Sequence, residues 1–145
     1  MKEIKNQKLL RNKSFINNEW INSYSNKKFS VYNPLDFSLL NSIADCGEEE
    51  TKKAIDSAYN AFDIWKELTI SKRSQIIRNW HKLILENKED LARIITLEQG
   101  KPFKESLGEI DYGASFVDWF SEEAKRIYGD TISDISKFGV KQKFS

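Results

Sequence analysis

The longest regular pattern of hydrophobic residues begins just after Pro102, where apolar side chains recur at every third or fourth position. The pattern comprises Phe103, Leu107, Ile110, Ala114, Val117, Phe120, Ala124 and Ile127. This spacing is typical of an α-helix with one buried face, and it predicts a helix of up to about 26 residues that ends at Gly129. Gly108 and Gly113 interrupt the helix, each at a cost of about 1 kcal/mol relative to alanine. We therefore expect another group to pass close to the helix there, either a crossing helix or a ligand.

A turn separates this long helix from the segment before it. Gly100 can adopt the left-handed conformation that commonly ends a helix. Pro102 has no N–H to donate, so it ends one helix and fits the first turn of the next. The sequence thus predicts two helices that meet at this turn.

Three shorter amphipathic helices are predicted before that turn. The first begins after Gly47 with acidic residues at 48–50, which favour a helix N-terminus. Thr69 or Ser71 can cap the second helix, and Asn87 separates it from the third. The expected buried residues are Ala54, Ile55, Ala58, Tyr59, Phe62 and Trp65 in the first helix, Ile76, Ile77, Trp80, Leu83 and Ile84 in the second, and Leu91, Ile94, Ile95 and Leu97 in the third.

Short strands are predicted ahead of the helices. Residues 15–21 contain two apolar pairs on either side of an Asn-Asn turn, which is typical of a β-hairpin. Two further strands are expected. One lies at 29–32 and ends before Pro34, which cannot donate to a sheet, and the other lies at 39–44. The predicted chain is therefore a small β-hairpin or meander followed by about four helices, an α+β arrangement.

Composition narrows the class of protein. The 145 residues are 39% hydrophobic and 31% charged, with a net charge of +1, as in an ordinary globular domain. The sequence has no basic patch of the kind that predicts nucleic-acid binding. No apolar stretch approaches the roughly 18 residues of a membrane span. The single cysteine cannot form an internal disulfide, so we expect a cytoplasmic protein. Aromatic residues make up 12% of the chain, which favours either a surface that further protein covers or an extended core.

Few residues are candidates for chemistry. Cys46 precedes a helix that begins with three glutamates, and we interpret it as a semi-buried structural residue rather than a nucleophile. His81 is the only histidine, so a metal site around it is not expected, and a surface or boundary position is favoured. Glu109 and Asp111 are two positions apart on a helix and point to different faces, which excludes a catalytic acid pair. We assign no catalytic residue.

Glycine-rich phosphate loops are also missing from the sequence. Neither GxGxxG nor GxxxxGK[ST] occurs anywhere in the chain. A pyrophosphate cradle needs several glycines between a strand and a helix. We therefore expect this chain alone to bind no NAD or NADP, and we assign no cofactor-binding residue.

A family resemblance rests on the region around the long helix. Its segments are TLEQGKP at 96–102, GEI at 108–110, ASF at 114–116 and WFSEEAKRIYGD at 119–130. In this order the segments resemble the aldehyde dehydrogenase superfamily, and within it the succinate-semialdehyde dehydrogenases. The likeness extends from about residue 15 to residue 132.

The resemblance implies a fold and a reaction for the complete family member. That fold is α/β, and the region matched here is the N-terminal part of its Rossmann-type cofactor-binding domain. The family uses NAD or NADP as its cofactor. Its nucleophilic Cys, its Glu base and its oxyanion-binding Asn would all follow position 145. The resemblance also implies that Gly108, Tyr112 and Phe116 face the aldehyde tunnel, and that Glu98 helps to hold a monovalent cation near the Asn-Pro turn.

The domain organisation expected from these observations has three parts. Residues 1–14 form a flexible N-terminal arm, residues 15–132 belong to the aldehyde dehydrogenase domain, and residues 133–145 form a divergent, truncated tail. We expect an N-terminal fragment of an enzyme that oxidises succinic semialdehyde to succinate, and expect it to be inactive alone. The alternative is a non-catalytic interaction module whose partner is the missing C-terminal half or a full-length homologue.

Overall fold

Two β-hairpins precede four α-helices in the computed structural model, which describes residues 3–129. The strands are β1 (Ser14–Ile16), β2 (Glu19–Ile21), β3 (Lys28–Tyr32) and β4 (Leu39–Ala44). The helices are α1 (Glu48–Glu67), α2 (Ile70–Glu86), α3 (Lys88–Gln99) and α4 (Phe103–Glu123), with 3₁₀ turns at Gln7–Leu9 and Ala124–Arg126. The α+β order predicted from the sequence is confirmed. The predicted tail at 133–145 lies outside the described residues.

The first hairpin forms where the sequence predicts it. β1 and β2 are antiparallel, and Phe15 lies opposite Trp20 with the ring centroids 5.1 Å apart. Asn17 and Asn18 both have positive φ, as a tight two-residue hairpin turn requires. Asparagine tolerates that conformation better than other non-glycine residues, so the Asn-Asn signal was sufficient.

The second hairpin contains the other two predicted strands. β3 and β4 are antiparallel, with Phe29 opposite Ile43 and an irregularity between Val31 and Tyr32. This pair forms a separate two-stranded sheet and does not continue from β1 and β2 as a meander. The loop after β3 is closed by hydrogen bonds from the backbone N–H of Leu35 to the Asn33 side chain and from the N–H of Phe37 to the Asn33 carbonyl.

The helices pack through small side chains. α4 lies against both α2 and α3, whereas α1 packs against β1. Five small residues of these three helices are almost fully buried: Ser74, Ala92, Ser106, Ala114 and Ser121. Small side chains let helix axes approach closely, so the centre of the bundle is narrow and contains few large hydrophobic groups.

Several residues expected in the core are instead exposed. Ile55, Tyr59 and Phe62 of α1 lie on the surface, as do Ile76, Trp80 and Leu83 of α2. Of the residues expected to be buried in α3, all four are half-buried. The helical periodicity was correct, but the described residues supply no element to cover these faces of α1 and α2.

The long helix is shorter than predicted. α4 ends at Glu123 after 21 residues, and a 3₁₀ turn at Ala124–Arg126 follows before Gly129 adopts a positive φ. Phe120 and Ile127, which the apolar pattern placed on the buried face, are exposed. Ser121 takes the buried position at the end of the helix instead.

The segment before β1 is attached to α3. Ile4 is buried, with 2% of its surface exposed. The backbone N–H groups of Lys5 and Asn6 donate to the two carboxylate oxygens of Asp90, at 3.0 and 2.7 Å. A 3₁₀ turn at Gln7–Leu9 follows. The flexibility expected of residues 1–14 stays a prediction.

Candidate functional site

The residues expected to face a substrate tunnel lie together on one face of α4. Gly108, Tyr112 and Phe116 are spaced by four, and the rings of Tyr112 and Phe116 meet edge to face with centroids 4.9 Å apart. Both rings are exposed. A methyl group placed on Gly108 would meet no atom within 4 Å. The described residues thus leave this side of α4 uncovered. The tunnel role of these three residues stays a prediction.

The opposite side of α4 fixes the helix against its neighbours. Ser106 is fully buried and its hydroxyl lies 3.0 Å from that of Thr96 on α3. The hydroxyl of Ser121 donates to the carbonyl of Asp118 within α4. Because both hydroxyls have partners, these two serines of α4 are buried without an unsatisfied polar group of their own.

Two ion pairs lie along the flanks of α4. Lys88 pairs with Asp111 at 2.6 Å, and Lys101 pairs with Glu109 at 2.8 Å. The hydrogen bond and nearby charge of Glu109 raise the pKa of Lys101. The two acids therefore point to different partners, as their spacing predicted, and they form no catalytic pair.

Two polar contacts connect the C-terminal half of α4 to α2. Arg78 pairs with Glu122, and His81 lies 3.9 Å from Asp118. Lys125 and the other nearby cations lower the pKa of Glu122, so this carboxylate stays charged. His81 is mostly buried at the boundary between α2 and α4, which agrees with the boundary position expected from the sequence.

The turn that follows Glu98 brings the backbone of Gly100 close to the ring of Pro34. Gly100 ends α3 in the left-handed conformation, with φ at 77°. A Cβ at this position would lie 3.0 Å from the Cγ of Pro34, so the Asn-Pro turn sits directly against the end of α3. Glu98 is exposed two residues earlier. Across residues 3–129, no group of three or more His, Cys, Asp or Glu side chains could hold a metal ion, and the cation role of Glu98 stays a prediction.

Cys46 occupies a structural position. It is half-buried, and its Sγ lies 3.2 Å from the hydroxyl of Ser14 at the start of β1. Just beyond it, the Glu50 carboxylate accepts hydrogen bonds from the backbone N–H groups of Tyr24 and Gly47, at 2.5 and 2.9 Å. The bond from Tyr24 is the main reason that the pKa of Glu50 is lowered. These contacts join the loop after β2 to the start of α1.

Glu50 and Asp90 have structural roles that the sequence pattern did not predict. Both carboxylates are almost fully buried and both accept backbone N–H groups from distant segments. The bonds from Asn6 and then Lys5 lower the pKa of Asp90. Each residue lies in the first turn of its helix, where a carboxylate also interacts favourably with the helix dipole. No sequence pattern identifies the segment that folds back onto them.

The described residues do not fit a dinucleotide. Both sheets are antiparallel hairpins, and only one glycine, Gly47, precedes α1. The first turn of α1 carries Glu48, Glu49 and Glu50, whose charges would repel a pyrophosphate. We therefore derive no chemical step at a nicotinamide cofactor from these residues.

Comparison with known proteins decides the family. The aldehyde dehydrogenase family model matches residues 20–143. The chain belongs to the aldehyde dehydrogenase family. The match continues past residue 132, where the likeness read from the sequence was expected to end.

Individual members of the aldehyde dehydrogenase family are similar over most of this chain. An NADP⁺-dependent succinate-semialdehyde dehydrogenase of Escherichia coli is 46% identical over 90% of this chain and 27% of its own length. A glutarate-semialdehyde dehydrogenase of Pseudomonas putida is 45% identical over 90% of this chain and 27% of its own length. The crystal structure of an E. coli NADP-dependent enzyme superposes with a TM-score of 0.90 and 44% identity, over 93% of this chain and 28% of that one.

These aldehyde dehydrogenases are much longer than this chain. It spans about a quarter of the length of the curated relatives that it matches. The described part therefore corresponds to one portion of the family fold, and the predicted interpretation as an N-terminal part of the cofactor-binding domain is confirmed. None of its helices at 3–129 has both the length and the hydropathy that crossing a membrane requires.

Proposed function

We propose that this chain supplies the N-terminal part of an NAD(P)-dependent dehydrogenase that oxidises succinic semialdehyde to succinate. The observation that carries the proposal is the similarity to a succinate-semialdehyde dehydrogenase over 90% of this chain. A glutarate-semialdehyde dehydrogenase is similar to nearly the same degree, which supports a short semialdehyde with a distal carboxylate as the substrate class. In that reaction the aldehyde carbon loses a hydride to the nicotinamide and gains an oxygen from water.

The chain would contribute one wall of the passage by which the aldehyde reaches the reacting groups. Tyr112 and Phe116 present an aromatic surface, and the open backbone at Gly108 leaves room beside it. Aromatic walls exclude water and hold a substrate in one orientation at small entropic cost, because their rings have few rotatable bonds. No basic side chain belongs to this face, so the distal carboxylate of the substrate would be bound by a group outside it.

A chimera tests this function directly. The present chain replaces the aligned N-terminal quarter of the E. coli enzyme in one continuous polypeptide, and formation of NADPH from succinic semialdehyde is followed by absorbance. We expect the chimera to oxidise the aldehyde and the chain alone to show no turnover. A folded, soluble chimera without activity would contradict the proposal, and so would turnover by the isolated chain.

The contribution of the aromatic wall is measured in the same chimera. Tyr112→Ala and Phe116→Ala should raise KM for succinic semialdehyde while KM for NADP⁺ stays unchanged, because these rings would border the aldehyde passage and not the cofactor. Lys72→Ala, an exposed position in the first turn of α2, is the matched control. Equal effects on both values of KM would show that these rings do not line the aldehyde passage.

A further inference from the structure

The side of α4 that faces away from α2 and α3 carries four exposed aromatic residues. Tyr112, Phe116, Trp119 and Phe120, which we call the outer face, are 67%, 48%, 62% and 58% exposed. Their spacing of four, three and one places them along one side of the helix. The opposite side buries Ser106, Ala114 and Ser121. A helix that is apolar on two sides is typical of a buried position.

The outer face cannot turn inward without breaking contacts that the structure already makes. Three ion pairs connect the flanks of α4 to other parts of the chain: Lys88–Asp111, Lys101–Glu109 and Arg78–Glu122. The small residues on the inner side fit only a close helix contact, and large rings there would overpack it. Any cover for the outer face must therefore come from outside residues 3–129.

The amount of uncovered aromatic surface is comparable to part of a protein interface. An aromatic side chain buries about 150–250 Å² when fully covered, so these four leave on the order of 450 Å² exposed. One partner of a standard interface contributes roughly 800 Å². Further aromatic and aliphatic residues are exposed on α1 and α2.

The length of the relatives indicates what covers this face. The chain reproduces about a quarter of an aldehyde dehydrogenase with a TM-score of 0.90, so a quarter of that fold is already in place and about three-quarters of it lies outside the chain. We propose that the outer face of α4 is a preformed docking surface for the remaining three-quarters of a semialdehyde dehydrogenase fold, and that the two parts assemble without a covalent link. This inference rests on the function proposed above.

The face favours assembly of separate parts for two physical reasons. Its helix is already held by α2, α3 and the ion pairs, so little conformational entropy is lost when a partner binds. Aromatic residues near the centre of an interface commonly carry most of its binding energy, and here four of them lie within nine positions.

Co-expression tests the inference. The E. coli enzyme that lacks its aligned N-terminal quarter is expressed with a purification tag, alone or together with the present chain, and NADP⁺-dependent oxidation of succinic semialdehyde is assayed. We expect the two polypeptides to co-purify and to recover activity that neither has alone. The covalent chimera described above shows whether the same two parts are compatible when joined.

Substitutions locate the contact. Trp119→Glu places a charge at the centre of the outer face and should weaken assembly at least about thirtyfold, whereas Trp119→Phe should retain it. Lys72→Glu on α2 introduces the same carboxylate with a larger change in charge and should assemble normally. Because Trp119 is mostly exposed, the circular dichroism spectrum of each isolated variant should match that of the parent chain.

Each other outcome overturns the inference. If the chimera is active but the separate parts neither co-purify nor show activity, non-covalent docking is excluded and the proposed function still stands. If neither the chimera nor the mixture of separate parts is active, the proposed function and the proposed docking surface are both refuted. Normal assembly of Trp119→Glu would exclude the outer face as the contact. If size-exclusion chromatography and light scattering find instead that the chain forms its own dimer, which Trp119→Glu dissociates, the occupant would be a second copy.

Discussion

Replacing the two glycines of α4 by alanine distinguishes an open helix face from a covered one. A methyl group added at Gly108 or at Gly113 meets no atom within 4 Å in the described part of the chain. Both residues lie inside α4, far from its ends. Gly108 belongs to the side that carries Tyr112 and Phe116, whereas Gly113 lies well to one flank of it. The two substitutions therefore make the same local change in two different directions.

The expected effect on the isolated chain follows from helix propensity alone. Alanine is favoured over glycine in a helix interior by about 0.8–1.0 kcal/mol, and no steric penalty offsets this gain. Each variant should thus unfold at a temperature about 2–5 °C higher than the parent. In urea, an m-value of about 1–3 kcal/mol/M gives a midpoint that is higher by about 0.3–1 M.

Circular dichroism at increasing temperature and urea concentration measures both shifts. In the active chimera, Gly108→Ala should also raise KM for the aldehyde, because its methyl group would enter the passage, and Gly113→Ala should leave KM unchanged. If Gly108→Ala destabilises the isolated chain, some group already lies against this face. That result would refute both the open passage and the uncovered docking surface.

Three further predictions test contacts elsewhere in the fold. Gly100→Ala should lower the free energy of unfolding by about 1–2 kcal/mol, since its φ is 77° and a Cβ would press on Pro34; an unchanged thermal midpoint would contradict this. The pKa of Asp90 is lowered below its usual value of 3.8, so its carboxylate stabilises the fold above that pH, and this contribution is lost as the pH falls through the lower value in the folded state. Asp90→Asn should flatten the loss of stability in urea titrations below about pH 4, and parallel curves for the two proteins would refute it. Ser74 is buried, and its hydroxyl has no hydrogen-bond partner within residues 3–129, so Ser74→Ala should be neutral or stabilising; Ser106→Ala breaks a buried hydrogen bond and should cost about 1–3 kcal/mol, and the reverse order in chemical denaturation would contradict both assignments.

The features that the sequence predicts well are those that a few neighbouring residues determine. Gly100 adopts the left-handed conformation expected of it, and Asn17 and Asn18 form the predicted hairpin turn. Thr69 caps α2 by accepting the backbone N–H of Lys72. Each of these structures follows from the conformational range or the hydrogen-bonding groups of residues within three or four positions, so no knowledge of distant contacts is needed.

Burial was predicted less well because it depends on what covers a helix. Periodicity showed that Tyr59 and Phe62 share a face of α1, yet it could not show that residues 3–129 leave this face open. The same limit explains why Ser74 and Ser106 were not expected in the core. Their small volume suits a close helix contact, but only the packed structure reveals where two helices approach each other.

The candidate site was predictable only in part, for a related reason. Spacing alone places Tyr112 and Phe116 on one side of α4, and the structure agrees. Their assignment to an aldehyde passage came from family resemblance, because the groups that would form the other walls are absent from residues 3–129. Asp90 shows the converse case, since its structural role depends on a segment more than eighty positions earlier in the chain.

The distribution of hydrophobic side chains connects these observations. The fully buried positions at the contacts of α4 are occupied by serine and alanine, while most of the large aromatic residues of α1, α2 and α4 are exposed. A domain selected to fold alone would place those rings inside, because each buried aromatic side chain contributes a few kcal/mol of hydrophobic stabilisation, roughly 1.5–3 for phenylalanine. Small buried residues and exposed aromatic residues are expected if the helices form a thin layer. The outer apolar surface of such a layer would then pack against another part of the same fold. This chain corresponds to about a quarter of a much longer enzyme in the family match, and that length supports the docking surface proposed above.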